Sequence, residues 1–170
     1  VKYIKIASKL GKNMTSNLLS FGKRQIVKPK RTKLNSIINN ISDILKSLVS
    51  EDIDYTFKLC DDDLIVSVDA HQIEQVLINL CTNARDAMKG RDGGAIIIRT
   101  NILKLRDTYL GCLEEIPPGT YMLLSVTDTG HGIEREDFKK ICEPFFTTKD
   151  ASKGTGLGLS IIFNIVKQHY

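Results

Sequence analysis

Along the chain the spacing of apolar positions switches between helical and strand-like periods. From residue 3 to about 26, Ile4, Ala7, Gly11, Met14, Leu18 and Phe21 recur at alternating steps of three and four, with Leu10 and Leu19 beside them and lysines on the other faces. This heptad-like stripe predicts a helix that needs an apolar partner. Pro29 stops it, because proline lacks a backbone donor and biases the residue before it away from helix. After the basic stretch KPKRTK, Leu34, Ile37, Ile38, Ile41, Leu45 and Leu48 predict a second amphipathic helix ending near Ser50. Two strand-like runs follow, Ile53 to Leu59 and Leu64 to Val68. From Ala70 to Met88 the positions Ile73, Val76, Leu77, Leu80, Ala84 and Ala87 return to helical spacing, closed by the glycines of residues 90–94. β-Branched runs at 95–103 and 121–127 read as strands. They are joined by a connection holding Pro117, Pro118 and Gly119. A loop-rich tract from Asp128 to Gly154 holds a short helical stretch near Glu134 to Ile141, and Leu157 to Gln168 forms a closing helix.

Charge divides the chain. Residues 1–33 carry ten basic side chains and no acidic one, so the overall +4 hides a remainder with 14 basic and 20 acidic residues, net −6. A boundary near residue 30 follows, and a uniformly basic nucleic-acid surface is disfavoured. Length fits one domain with a short appendage. Neither a run of 18 apolar residues nor a charged-then-apolar leader is present in these residues, so neither a span nor a signal is expected. Cys60, Cys81, Cys112 and Cys142 lie too far apart for a zinc or small-disulfide pattern and are expected to be reduced thiols.

Three constellations carry chemistry. Asn79 and Asn83, four apart on the helix of residues 70–88, share one face. Carboxamides are poor helix formers and need partners. They either meet neighbouring backbone or supply hard oxygen ligands to Mg²⁺. Asp128, at a strand end before Thr129, Gly130, His131 and Gly132, is either a turn residue or an acceptor for the exocyclic amine of adenine, which would favour ATP over GTP. His131 reads as an exposed loop residue. Lys153-Gly154-Thr155-Gly156-Leu157-Gly158-Leu159-Ser160 opens a helix with glycines at every second position, allowing close approach to phosphates at a helix start. It is neither a P-loop nor a dinucleotide fingerprint. Upstream, Glu143-Pro144-Phe145-Phe146-Thr147-Thr148-Lys149 adds aromatics that are either core or pocket residues, hydroxyls and a cation.

Taken in order, these segments resemble the N, G1, F and G2 boxes of the ATP-binding domain of sensor histidine kinases, over residues 66–166. The resemblance implies an α/β sandwich of the Bergerat type, with a mixed sheet covered on one face by helices, here preceded by one long helix. The interval from Phe146 to Gly154 is similar to the short lid of the nitrogen-regulation subgroup. It implies ATP and Mg²⁺ as cofactors, with Asn83 as the metal ligand and Asn79 beside the phosphates. Asp128 takes the adenine amine, and Gly130 and Gly132 shape the base pocket. Thr148 and Lys149 belong to the lid, and Gly154, Thr155, Gly156, Leu157 and Gly158 wrap the phosphates.

The related gyrase and mismatch-repair ATPases carry a water-activating glutamate one turn before the magnesium asparagine. Asn79 stands there, favouring phosphoryl transfer over hydrolysis. Where many kinases of the family have a lysine three residues after that asparagine, this chain has Asp86, and Arg85 is the adjacent substitute for the phosphate contact. Residues 1–30 resemble the second helix of the dimerisation and phosphoacceptor hairpin, and residues 31–170 the ATP-binding domain short of its last strands. His71, His131 and His169 do not fit the phosphoacceptor, so no catalytic residue and no self-phosphorylation are expected within these residues. The implied partners are a response-regulator receiver domain and a second copy through the hairpin, with no nucleic acid and no membrane, in the cytoplasm. Two rival readings are an ATP-sensing scaffold, suggested by Asp86, and an ATPase of the gyrase or chaperone branch.

Overall fold

The computed structural model describes residues 27–49, 52–62, 65–91, 93–111, 115–149 and 154–169. The helix expected over residues 3–26 and Cys112 lie outside them. Ten elements follow in chain order: β1 (Lys30–Lys33), α1 (Leu34–Ser47), β2 (Ile53–Lys58), β3 (Ile65–Val68), α2 (Ala70–Ala87), β4 (Gly94–Leu105), β5 (Tyr109–Leu110), β6 (Glu115–Ile116), β7 (Gly119–Asp128) and α3 (Gly158–Lys167).

The main sheet has the order β2-β4-β7. β2 runs parallel to β4, from Ile53 opposite Gly94 to Lys58 opposite Arg99. β7 runs antiparallel to β4 along its whole length, Ile96 opposite Asp128 and Leu105 opposite Gly119. The sheet is therefore mixed, as expected. Tyr55 and Phe57 of β2, Ile98 of β4, and Met122, Leu124 and Val126 of β7 pack with α1 and α2 in one core. Ile38, Leu45, Leu77 and Ile98 are wholly buried there. This matches the sequence periods: strands bury alternate residues, and helices bury the positions three and four apart.

A polar clasp fixes the start of α1 to the sheet. The Thr100 hydroxyl donates to Asn35 Oδ1 at 2.8 Å and accepts from the Cys60 N–H at 3.0 Å, while Asn35 Nδ2 donates to the Cys60 carbonyl at 2.9 Å. These bonds satisfy polar groups that burial would otherwise penalise. The Tyr55 hydroxyl sits 2.7 Å from Cys81 Sγ. Burial and that contact push the tyrosine well above its ordinary range, and burial also raises the Cys81 thiol. Cys81 is thus a core thiol.

The structure adds two strand pairings to the sequence expectations and corrects one helix. Within KPKRTK, Lys30–Lys33 pairs antiparallel with Ile65–Val68, Lys30 opposite Val68. A basic run is compatible with the edge of a two-stranded sheet, where side chains reach water. The connection between β4 and β7 folds back on itself, Tyr109 opposite Ile116 and Leu110 opposite Glu115. The helical stretch at Glu134–Ile141 is a series of turns, in which Asp137 N–H bonds the Glu134 carbonyl and Ile141 N–H bonds the Asp137 carbonyl. The segment is almost entirely exposed and so lacks the apolar face that stabilises a short helix.

Candidate nucleotide site

The site is built along α2. Asp69 opens this helix, its Oδ1 accepting from the His71 N–H at 3.1 Å and its Oδ2 from the Lys28 N–H at 3.1 Å. Burial alone would raise this carboxyl, but the backbone hydrogen bonds from Lys28, His71 and Gln72 hold it below its usual range. Ile73, Val76, Leu77, Cys81 and Ala84 are buried. Asn79, Asn83 and Asp86 are each partly accessible. The helix thus turns one face to the core and offers polar side chains beside it.

α3 packs on the same helix through Val76, Leu157, Ile161 and Ile165. That contact brings the glycine-rich turn to Asn83: a Cβ on Gly158 would stand 3.6 Å from Asn83 Nδ2. The turn also holds the segment upstream. Phe145 N–H donates to the Gly156 carbonyl at 2.9 Å. Gly156 has φ +65°, and a Cβ there would lie 2.3 Å from the Phe145 carbonyl carbon, so only glycine fits. Phe145 itself has φ +69° and is 63% exposed, so it is not a core residue, while Phe146 is half-buried. Thr147 Oγ1 accepts from the Lys149 N–H at 3.1 Å, and Thr148 is exposed.

Lys149 then crosses to α2. Its Nζ lies 2.9 Å from Asp86 Oδ2 and 3.5 Å from Asn83 Oδ1. Among the described residues, Asn83 therefore meets a cation rather than neighbouring backbone. Asp86 is also paired with Lys89 at 2.8 Å and Arg85 at 3.1 Å. Arg85 donates in addition to the Leu48 carbonyl at 3.0 Å, which ties its guanidinium to the end of α1. The cation beside Asn83 is thus Lys149 and not the adjacent Arg85.

Burial of Asp86 would raise its carboxyl, but hydrogen bonds from Lys89, Lys149 and Arg85 outweigh it and hold the group at about 2. The sign follows from linkage. A folded-state value below the unfolded one stabilises the protein above the unfolded value, and that contribution is lost as pH falls toward about 2. Urea unfolding between pH 5 and about 2 is therefore expected to show an acid-dependent loss of stability that is smaller in Asp86→Asn.

The D-T-G turn stands at the C-terminal end of α2, beyond Asp86. Asp128 Oδ1 accepts from the Gly130 N–H at 2.8 Å, so the turn role is realised, and the side chain is still exposed. Thr129 Oγ1 accepts from the Ala95 N–H at 3.0 Å, and Arg91 Nη1 donates to the Thr129 carbonyl at 3.1 Å. The His131 N–H bonds the Ala87 carbonyl at 3.2 Å. Gly130 is pressed onto the helix end, where a Cβ would come within 2.6 Å of Ala87 Cβ. Gly132 is exposed, with φ +74°. The structure therefore brings Asn83, Lys149 and Gly158 together and anchors Asp128, Gly130 and His131 at the end of the same helix. No local sequence pattern marks Arg91 as the side chain that holds the Thr129 carbonyl. The only advance sign of Asp86 was its departure from the family pattern.

Among the described residues no cluster of three or more His, Cys, Asp and Glu could hold a metal, and no helix is long and apolar enough to cross a membrane.

A helix-covered mixed sheet with Asn83 beside the glycine-rich turn at Gly158 fits a nucleotide-binding domain. The family profile for histidine kinase-, DNA gyrase B-, and HSP90-like ATPases matches residues 68–170, and the chain belongs to this family. ATP is accordingly the nucleotide of the domain. The chain is 39% identical over 156 residues to sensor kinase CckA of Brucella abortus (strain 2308), covering 92% of this chain and 16% of CckA. It is 33% identical over 157 residues to sporulation kinase C of Bacillus subtilis (strain 168), covering 91% of this chain and 32% of that protein. It thus spans a third or less of these relatives.

Among solved structures, the catalytic domain of histidine kinase ThkA matches with a TM-score of 0.60 and 31% identity, covering 84% of this chain and 82% of that one. ThkA in complex with response regulator protein TrrA matches with a TM-score of 0.66 and 27% identity, over 99% of this chain and 44% of that one. The α/β fold is that of histidine kinase catalytic domains.

Proposed function

We propose that the chain is the ATP-binding catalytic part of a two-component sensor kinase that passes the γ-phosphoryl group of Mg·ATP to a histidine on a helical hairpin, and thence to a response-regulator receiver domain. One observation carries this reading: Asn83, Lys149 and the Gly158 helix start converge on a single stretch of α2. A carboxamide oxygen facing an ammonium is an acceptor already placed for a cation, and a neutral oxygen donor suits Mg²⁺. Asn83 would hold the metal, which when bound neutralises phosphate charge.

The chain's own residues bind and orient. Asn79 lies one helical turn before Asn83, beside the phosphates. Gly154, Thr155, Gly156, Leu157 and Gly158 present backbone donors at the start of α3. Asp128 keeps one carboxylate oxygen on Gly130 and directs the other to the adenine amine, in a base pocket shaped by Gly130 and Gly132. Thr148 and Lys149 belong to the lid. Asn79 in place of an acidic residue leaves no side chain there to activate water, so transfer is favoured over hydrolysis. Positioning and charge neutralisation do most of the catalytic work. In the intact protein, the segment that precedes β1 belongs to the hairpin through which two copies pair, and the domain works in the cytoplasm.

The test is phosphoryl transfer in trans. The chain is incubated with Mg²⁺, ATP labelled at the γ-phosphate, and a separate helical hairpin that carries a histidine followed by an acidic residue. Acid-labile label on the hairpin's histidine, and none on the chain, is the expected result. Tight ATP binding without transfer would instead indicate an ATP-sensing module. Rapid phosphate release that is lost in Asn83→Ala would place the chain with the hydrolytic branch.

A further inference from the structure

Asp86 is an acidic group close to where the proposed reading puts phosphates. An anion there repels a polyphosphate unless its charge is matched by nearby cations. Three cations surround it, but they are not equivalent. Arg85 is committed to the Leu48 carbonyl at 3.0 Å, and Lys89 is largely exposed. Lys149 alone reaches both Asp86 Oδ2, at 2.9 Å, and Asn83 Oδ1, at 3.5 Å. Asp86 is a firm anchor, its side chain only 13% exposed. The segment that carries Lys149 is joined to the glycine-rich turn by the Phe145 N–H to Gly156 carbonyl bond.

We infer that Asp86 is a positioning residue: it holds the ammonium of Lys149 beside Asn83, so that the lid, rather than α2, supplies the cation that meets the nucleotide's phosphates. This rests on the ATP reading above. Its consequence is that phosphate binding draws on an anchoring of the Phe145–Lys149 segment that Asp86 already provides before nucleotide arrives, whereas contacts to the base at Asp128 are independent of it. Asp86 also costs some affinity by repulsion, which its hold on Lys149 outweighs.

Two measurements test this. In the nucleotide-free protein, hydrogen exchange of the peptide spanning Phe145–Lys149 is expected to quicken in Asp86→Asn and to return toward wild type in Asp86→Glu. Unchanged exchange in Asp86→Asn would overturn the anchoring. Titrations with Mg·ATP and with adenosine then separate positioning from general damage. Lys149→Met is expected to weaken Mg·ATP binding about tenfold, the order expected for losing a charged hydrogen bond, with adenosine affinity unchanged. Asp86→Asn is expected to weaken Mg·ATP binding in the wild-type background. In the Lys149→Met background it should leave binding unchanged or improve it, since only the repulsion remains to be removed. Equal effects in both backgrounds, or adenosine affinity falling in step with Mg·ATP, overturns the inference while leaving the ATP reading intact. Failure of the wild-type chain to bind Mg·ATP at all overturns both.

Discussion

Asn83→Ala is expected to abolish magnesium-dependent ATP binding, with affinity reduced by more than about a hundredfold, because loss of groups that merely support a metal ligand already costs about 10–100-fold. The residue is partly accessible and contributes no packing to the apolar core, so thermal unfolding of the nucleotide-free protein should move little. Calorimetric titration with Mg·ATP, paired with a thermal melt, separates the two effects. If Asn83→Ala binds Mg·ATP as tightly as wild type, the metal is held elsewhere and the assignment of α2 as the metal-bearing helix fails. A melt that collapses together with affinity would show instead that Asn83 is a packing residue.

Leu77→Ala has the opposite signature. Leu77 is wholly buried in the cluster that joins α1, α2 and the sheet. Truncating a leucine at such a site typically costs about 2–5 kcal/mol, through lost apolar burial and the cavity left behind. Against a total stability of about 5–15 kcal/mol, that is a large share. Urea unfolding should show a lowered midpoint with the slope retained. At temperatures where the variant stays folded, Mg·ATP affinity should remain close to wild type, since Leu77 does not line the site. A stability loss below about 1 kcal/mol would mean that the core closes around the gap more readily than close-packed interiors do.

The comparison of Asn83 with Leu77, six positions apart on one helix, also shows what the sequence made legible. Apolar period marked the buried face of α2, and the two asparagines stood out because carboxamides there lacked an evident local use. The strands of the main sheet and the closing helix followed from the spacing of apolar and β-branched positions. Three features did not. β1 was hidden because its residues are charged, and its strand character comes from pairing with Ile65–Val68 rather than from its own composition. The turns at Glu134–Ile141 mimic helical spacing, yet the tertiary structure supplies no apolar surface for a helix to cover. The Lys149–Asp86 ion pair joins residues 63 positions apart, and no local pattern encodes a contact of that range. The charge at position 86 looked like the loss of a function. In three dimensions it is met by a lysine from another segment.

The parallel pairing of β2 with β4 has a consequence for how the molecule assembles. Ile53 cannot meet Gly94 until the chain between them, which includes all of α2, has crossed over the sheet. Parallel strands require such a crossover, and the loop it closes sets a kinetic cost on reaching the native topology. The helix that carries Asn79 and Asn83, the asparagines proposed to meet the nucleotide, is therefore also the crossover through which the sheet is completed. A one-residue insertion within α2 would rotate everything beyond it by about 100° and so place its polar and apolar faces in conflict. The ability to fold and the ability to hold a nucleotide are, in this segment, constraints on the same eighteen residues.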